Sequence, residues 1–221
     1  MASCAVRGFT GSVTDRHPTS EALLQTAVAL LDERAPDEIT VELVLSESGV
    51  SKGSLYHHYR DFNDLLDRAQ VVRFTRLVDA SIAMITRVVD HATSSQECYR
   101  GLVAVTAATQ GPATAASRAL RVWTLGQAGL RPSMREALGV EQQRLTDALT
   151  DLTRAGQEKG WFRVDLDPAA IAVFIQAYTL GKSVDDVTPR HVDQAAWELL
   201  VNAVIATVFM GDPALAGSAF G

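Results

Sequence analysis

The sequence predicts an all-α protein, and three observations carry that prediction. Apolar residues recur three and four positions apart over most of the 221 residues. Gly111-Pro112, Arg131-Pro132, Asp167-Pro168 and Thr188-Pro189 punctuate the chain where new helices would begin, because proline is tolerated in a first turn but not in an interior. No stretch alternates as a strand of any length would. About nine helices are expected, and a hydrophobic fraction of 47% is ample for a packed core.

Residues 1–18 mix Gly, Ser, Thr and a few charges without periodicity, and Pro18 closes them. They read as a flexible arm. It is either a disordered leader or, through Arg7 and Arg16, a basic arm that touches a minor groove. The first helix is expected from Thr19 or Ser20, either of which can cap it, to about Arg34. Leu23, Ala27, Leu30 and Leu31 form its inner face, with Leu24 and Val28 beside them. Ala35-Pro36-Asp37 ends it.

The next twenty residues, Thr40 to Tyr59, read as two very short helices joined by a tight turn. Thr40 can cap the first with its hydroxyl, and Val41, Val44 and Leu45 share one face. Gly49 stands where that helix must stop in a left-handed turn. Val50 is placed to plug the gap between the helices, and Ser51 to cap the second. Leu55 then faces inward, while Lys52, Ser54, Tyr56 and His57 project away. Such a pair serves mainly to push its second helix into the major groove of DNA. A fourth helix follows from Asp61 or Phe62 to about His91. Its Leu65, Leu66, Ala69 and Val72 offer a face to clamp the head to the rest of the chain.

The order Thr-Val, then Gly-Val-Ser-Lys-Gly-Ser-Leu-Tyr, then Tyr59 and Asp-Leu-Leu at 64–66 resembles the tetracycline-repressor (TetR) family. The resemblance is specific over residues 19–68 and architectural beyond them. It implies a helix-turn-helix domain over 19–66 and a helical effector-binding and dimerisation domain over 67–221. On this reading Lys52 and Ser54 lie in the first turn of the recognition helix, where base edges are reached. Tyr56 and His57 touch phosphate or base. Backbone N–H groups at Ser51 to Gly53, and Thr40 on the preceding helix, provide phosphate sites. Two positions depart from the family pattern. Glu42 stands where a basic side chain is common, and it is either a base acceptor or a solvated charge. Phe62 stands where a phosphate-binding lysine is common, with Arg60 a candidate to replace it.

In the body, helices are expected over 96–109, 112–128, 133–159, 168–184 and 189–210, with Trp161 anchoring the loop after the longest. On the last, Val192, Ala195, Ala196, Leu199, Ala203, Val204 and Val208 share one side, while Val201, Ile205 and Phe209 make the far side apolar too. A helix apolar all round must be covered all round. The cover is either neighbouring helices around a central helix of a monomer, which this chain does not easily provide, or, as the resemblance implies, a second copy through 168–184 and 189–210 of a homodimer. It also implies a small-molecule cavity. Tyr99, Trp123, Gln127, Phe174, Gln176 and Tyr178 are its candidate lining, each with ordinary core packing as the alternative, and a mostly apolar or aromatic effector is expected.

Net charge is −6, an unhelpful balance for a nucleic-acid binder, so DNA contact has to rest on local positive surface and be salt-sensitive. Cys4 and Cys98 lack ligand or disulfide spacing, and adjacent His57 and His58 would diverge on a helix, so no metal or other cofactor is expected. The apolar run Leu199 to Met210 is too short to span a membrane, and no secretory leader is evident. A cytoplasmic protein is the natural reading. No nucleophile motif, phosphate-cradling loop or catalytic His–carboxylate pair points to an enzyme. The function expected is a DNA-binding transcriptional regulator, a repressor of a palindromic operator released by a small molecule, with activation as the other sign. The alternative is a helical small-molecule-binding or structural protein with a degenerate head.

Overall fold

Pro18 opens the first helix. The computed structural model describes residues 17–212, and α1 spans Pro18–Glu33. The cap is not Thr19 or Ser20 as expected. It is His17, whose Nδ1 accepts from the Thr19 N–H at 3.3 Å. Proline fits the position after a cap because its missing N–H would have no partner there. The expected arm therefore lies outside the described residues except for this junction. A single 3-10 turn over Pro36–Glu38 follows, then α2 (Val41–Ser48) and α3 (Lys52–His58). Helix α4 runs over Phe62–His91, and Asp61 Oδ1 accepts from the Asp64 N–H at 2.8 Å at its start.

The chain divides into two units at Val72 and Arg73, beyond the expected boundary at 66. The head's core shows why. Leu23, Leu24, Ala27, Val28, Leu31, Val44 and Leu55 form it, and Leu65 and Ala69 of α4 are buried among them, with Leu66 and Val72 packed against the cluster. These α4 side chains, expected to clamp the head to the body, complete the head's own interior.

The body holds the remainder of α4 and α5 (Ser95–Gln110), α6 (Ala115–Ala128), α7 (Pro132–Glu158), α8 (Pro168–Gly181), the single-turn α9 (Ser183–Asp186) and α10 (Gln194–Val204). Among the described residues every regular element is helical. Pro112–Thr114 form a 3-10 turn ahead of α6 rather than its first α turn. The helix expected over 168–184 breaks after Gly181. The one expected from 189 starts only at Gln194, and its end widens into a π turn over Ile205–Phe209.

Asp185 explains the late start of α10. Its carboxylate pairs with the buried Lys182 at 2.5 Å and accepts from the Val192 N–H at 2.9 Å. The segment around Pro189 is thereby tied down as a loop, and Asp193 becomes the cap, accepting from the Ala196 N–H at 2.9 Å. At the end of α7, the anchor is Phe162 rather than Trp161. Phe162 is buried on Gly156, where a Cβ would lie 1.9 Å from the ring, and Trp161 is only half-buried.

Arg118 of α6 fastens α9 and the turn before α6 together. It is 2% exposed. Its guanidinium meets Asp186 in a two-bond pair at 2.8 and 2.6 Å and donates to the Thr109 and Gly111 carbonyls and the Thr114 hydroxyl. With every partner in place, the charge is compensated. The Arg118 hydrogen bonds, and the guanidinium charge, hold the Asp186 carboxyl below the usual carboxylate range. Arg118→Ala is expected to cost about 3 kcal/mol, the lower end for a broken buried pair, because the Asp186 carboxylate keeps 16% exposure while two carbonyls lose their donor. Denaturant unfolding of the purified variant checks this, and a loss under about 1 kcal/mol would contradict the assigned role.

Candidate functional site

Helix α3 has seven residues, too few to persist in water unaided. Four local features hold it. Gly49 turns the chain at φ +66°, with nothing within 4 Å of where a Cβ would sit, so glycine is required there by conformation and not by space. Ser51 caps α3 by accepting from the Ser54 N–H at 3.2 Å. Leu55 is wholly buried. Tyr59, at the helix end, is also buried, and its hydroxyl donates to the Ser20 carbonyl of α1 at 2.8 Å. The Arg68 guanidinium lies 5.3 Å from the centre of the Tyr59 ring.

What those anchors leave outside is the set expected to face DNA. Lys52, Gly53, Tyr56 and His57 are exposed, as are Ser51, Thr40, Glu42 and Arg60. Ser54 is half-buried, with its hydroxyl 3.0 Å from that of Ser51. The Thr40 hydroxyl oxygen is engaged in capping α2, accepting from the Leu43 N–H at 3.2 Å. Arg60 carries an exposed pair with Asp61 at 3.2 Å, which a phosphate can displace at little cost. Phe62 packs against the head core, so its place in the departing slot is structural.

The head also holds a histidine cluster, in which His57 and His58, expected to diverge, keep their rings in contact and are joined by His17. The rings of His17 and His58 stack with centroids 5.0 Å apart, and His57 meets His58 edge-on at 5.0 Å. The three come together only because the start of α1 meets the end of α3. Among the described residues no group of His, Cys, Asp or Glu is arranged to hold a metal.

The body contains a cavity of about 100 Å³ walled by α4 to α8, Phe162 and the π turn. Its lining is mostly apolar, with Phe74, Met84, Leu145, Leu149 and Ile175 prominent. Of the expected lining, Gln176 and Tyr178 are there, and Tyr99, Trp123, Gln127 and Phe174 are not. Tyr99 is fully buried in the core, while Trp123 and Phe174 are 39% and 50% exposed. Phe174 shares a face of α8 with Tyr178, with ring centres 5.9 Å apart, and packs edge-on to Phe209 at 5.9 Å, beside the cavity and not in its lining. The Gln176 amide accepts from Gln142 and donates to Thr146 at 3.1 Å. Sequence reading missed Arg121, which also lines the cavity; spacing does not tell which of the two α6 arginines, Arg118 or Arg121, meets a hollow. Cys98 is buried, which pushes its thiol up to about 11, and it lies outside the cavity lining.

A glycine-bent helix pair with its second helix presented outward defines a helix-turn-helix head, and the helical unit after it holds a cavity. The family profile that matches residues 23–69 is that of bacterial regulatory proteins of the tetR family. Solved structures agree over the chain's length. A Salmonella enterica protein, GusR, is 20% identical and superposes with a TM-score of 0.62 over 90% of this chain and 98% of its own. A protein of Mesorhizobium loti MAFF303099 described as a TetR-family transcriptional regulator is 16% identical, with a TM-score of 0.62 over 87% and 96%. A transcriptional regulator of Saccharomonospora viridis, in complex with choline, is 20% identical, with a TM-score of 0.62 over 86% and 96%. No curated protein matches. The head thus matches the tetR-family profile, and the chain as a whole carries the TetR-like fold.

Gly49→Ala places a Cβ in the left-handed region and is expected to cost about 1–2 kcal/mol, measured by thermal or denaturant unfolding; an unchanged stability would remove the bend from the account. Burial, followed by the charges of His17 and His57, holds the His58 imidazole below its ordinary value. The folded head therefore takes up a proton there less readily than the unfolded chain. This stabilisation is complete above the ordinary value of about 6.5 and is lost as pH falls through the lower folded value. Unfolding curves at neutral and mildly acidic pH should show the loss, and His58→Gln should flatten the difference.

Proposed function

We propose that the protein is a ligand-responsive transcriptional repressor that binds a palindromic operator as a homodimer. Presentation of the first turn of α3 carries this reading: Leu55 and Tyr59 are buried while Lys52, Gly53, Tyr56 and His57 stay open to solvent. A helix held from one side and bare on the other suits a major groove. Lys52 and Ser54 would address base edges, and Tyr56 and His57 phosphate or base. Thr40, Arg60 and the backbone at Ser51 to Gly53 would position the head on phosphates. Glu42 would add no affinity, and its exposure agrees with a solvated charge.

Exposed apolar area on α8 and α10 supports the dimer. Val173 and Phe174 are 56% and 50% exposed, and Leu199 and Leu200 are 50% and 58%. On α10 these sit opposite the buried Val201, Ile205 and Phe209, which leaves one apolar side for a second copy. Two recognition helices would then meet half-sites about one helical turn apart or a multiple of it. An effector in the cavity would release DNA by binding better to a dimer geometry that no longer fits those half-sites. That the S. viridis regulator was solved with choline supports small-molecule control. Among the described residues no helix is long and apolar enough to cross a membrane, and such a regulator acts, without catalysis, in the cytoplasm.

Gel shifts with palindromic fragments from its own promoter test this. Lys52→Ala is expected to cost about 1–3 kcal/mol of operator binding and to relax the preference at one base position. Arg60→Ala is expected to weaken all sequences alike and to reduce the salt slope by about 1. Absence of specific binding at low salt would favour the degenerate-head alternative, for which the exposed Glu42 speaks.

A further inference from the structure

The cavity's charge is unbalanced. Arg121 is the single charged residue in its lining, which holds no aspartate or glutamate. Its Nη2 donates to the Leu77 carbonyl at 2.5 Å and the Ser81 hydroxyl at 2.6 Å, and these two bonds fix the plane of the guanidinium. Among the described residues no carboxylate pairs with it, and nothing accepts from its Nε or Nη1. Neither nitrogen is sealed from accessible space.

Three residues earlier on the same helix, Arg118 is treated differently, with Asp186 bound across two of its nitrogens. The fold thus compensates one guanidinium and leaves the other facing an apolar hollow. Arginine keeps its charge in such a place, although burial pushes it down from its ordinary value with no neighbouring charge acting on it. Nη2 of Arg121 is spent on its bonds to Leu77 and Ser81 and is part of either two-bond fork, so an anion would take single charge-assisted bonds from the remaining Nε–H or Nη1–H. Low-polarity walls strengthen that pairing.

We propose that the cavity binds a small organic monoanion, a monocarboxylate with an apolar body, its carboxylate on Arg121 and its body against Phe74, Met84 and Ile175. This rests on the regulator reading only in making that ligand the effector. A dianion is disfavoured, because its second charge would be left unpaired among apolar side chains. Size limits the class further. The cavity is about 100 Å³, and an apolar cavity of about 150 Å³ takes up benzene, so one ring or a short chain is the upper limit of size. The Gln142 and Gln176 amides bond to each other and to Thr146, and the other polar side chains of the lining are neutral hydroxyls, so Arg121 is the group whose charge a ligand would meet.

The test uses the full-length protein without DNA. Benzoate and hexanoate are titrated by calorimetry beside benzamide and hexanamide, which have the same shapes without the charge. At least one acid should bind at millimolar concentration or better, and about tenfold or more tighter than its amide, the difference a charge-assisted pair supplies. Arg121→Gln should remove that preference, and Arg121→Lys should retain part of it. Should Arg121→Gln fail to fold, as its circular dichroism would show, the acid–amide comparison on the native chain and Arg121→Lys still decide. Amides binding as tightly as acids, or no acid binding, would overturn the proposal. Acid binding without operator binding would instead sink the regulator reading alone, and operator binding without acid binding would sink only the ligand class.

Discussion

A seven-residue helix has no stability of its own, and the whole head is arranged around that shortage. Leu55 and Tyr59 are α3's only deeply buried side chains, one at its middle and one at its end, so the helix is pinned along a single line. The Tyr59 hydroxyl reaching the Ser20 carbonyl fixes the far end to α1, and the Ser51 cap finishes the near end. Everything α3 does not need for attachment faces outward. A longer helix would have buried more and presented less.

Charge is handled in opposite ways within one helix of the body. Arg118 is saturated by Asp186, two carbonyls and a hydroxyl, and it serves to lock α9 and the turn at Gly111 in place. Arg121, one turn on, is held by neutral acceptors only. A buried ion pair contributes uniqueness more than net stability, and that suits the first site, where a loop must be held. An uncompensated cation beside apolar walls contributes nothing to packing, and it gains a purpose when an anion arrives.

Helix α10 shows how one apolar helix can serve two partners. Val201, Ile205, Ala206 and Phe209 turn into the chain's own core, while Leu199, Leu200 and Val208 remain uncovered. The π turn over Ile205–Phe209 widens the last turn and brings Phe209 against Phe174 with ring centres 5.9 Å apart. The same turn supplies a wall of the cavity, so the uncovered face and the ligand space share an element.

Local patterns read in the sequence decided the helical class, the glycine bend, the caps at Thr40 and Ser51 and the split of α3 into an anchored and a bare side. Each depends on residues within four positions of one another, where spacing alone sets which side chains meet. The cap at His17, the late start of α10 and the place of Phe162 over Gly156 depended on contacts between segments, which no spacing encodes. The cavity shows the difference most sharply. Helical phase already pointed Gln176 and Tyr178 somewhere, but only the packing of five helices decided that they share a hollow with Arg121, and that Tyr99, Trp123, Gln127 and Phe174 do not. Chain-local geometry determined what this protein presents to a groove, and tertiary packing decided what it encloses, because an interior exists only where distant segments meet.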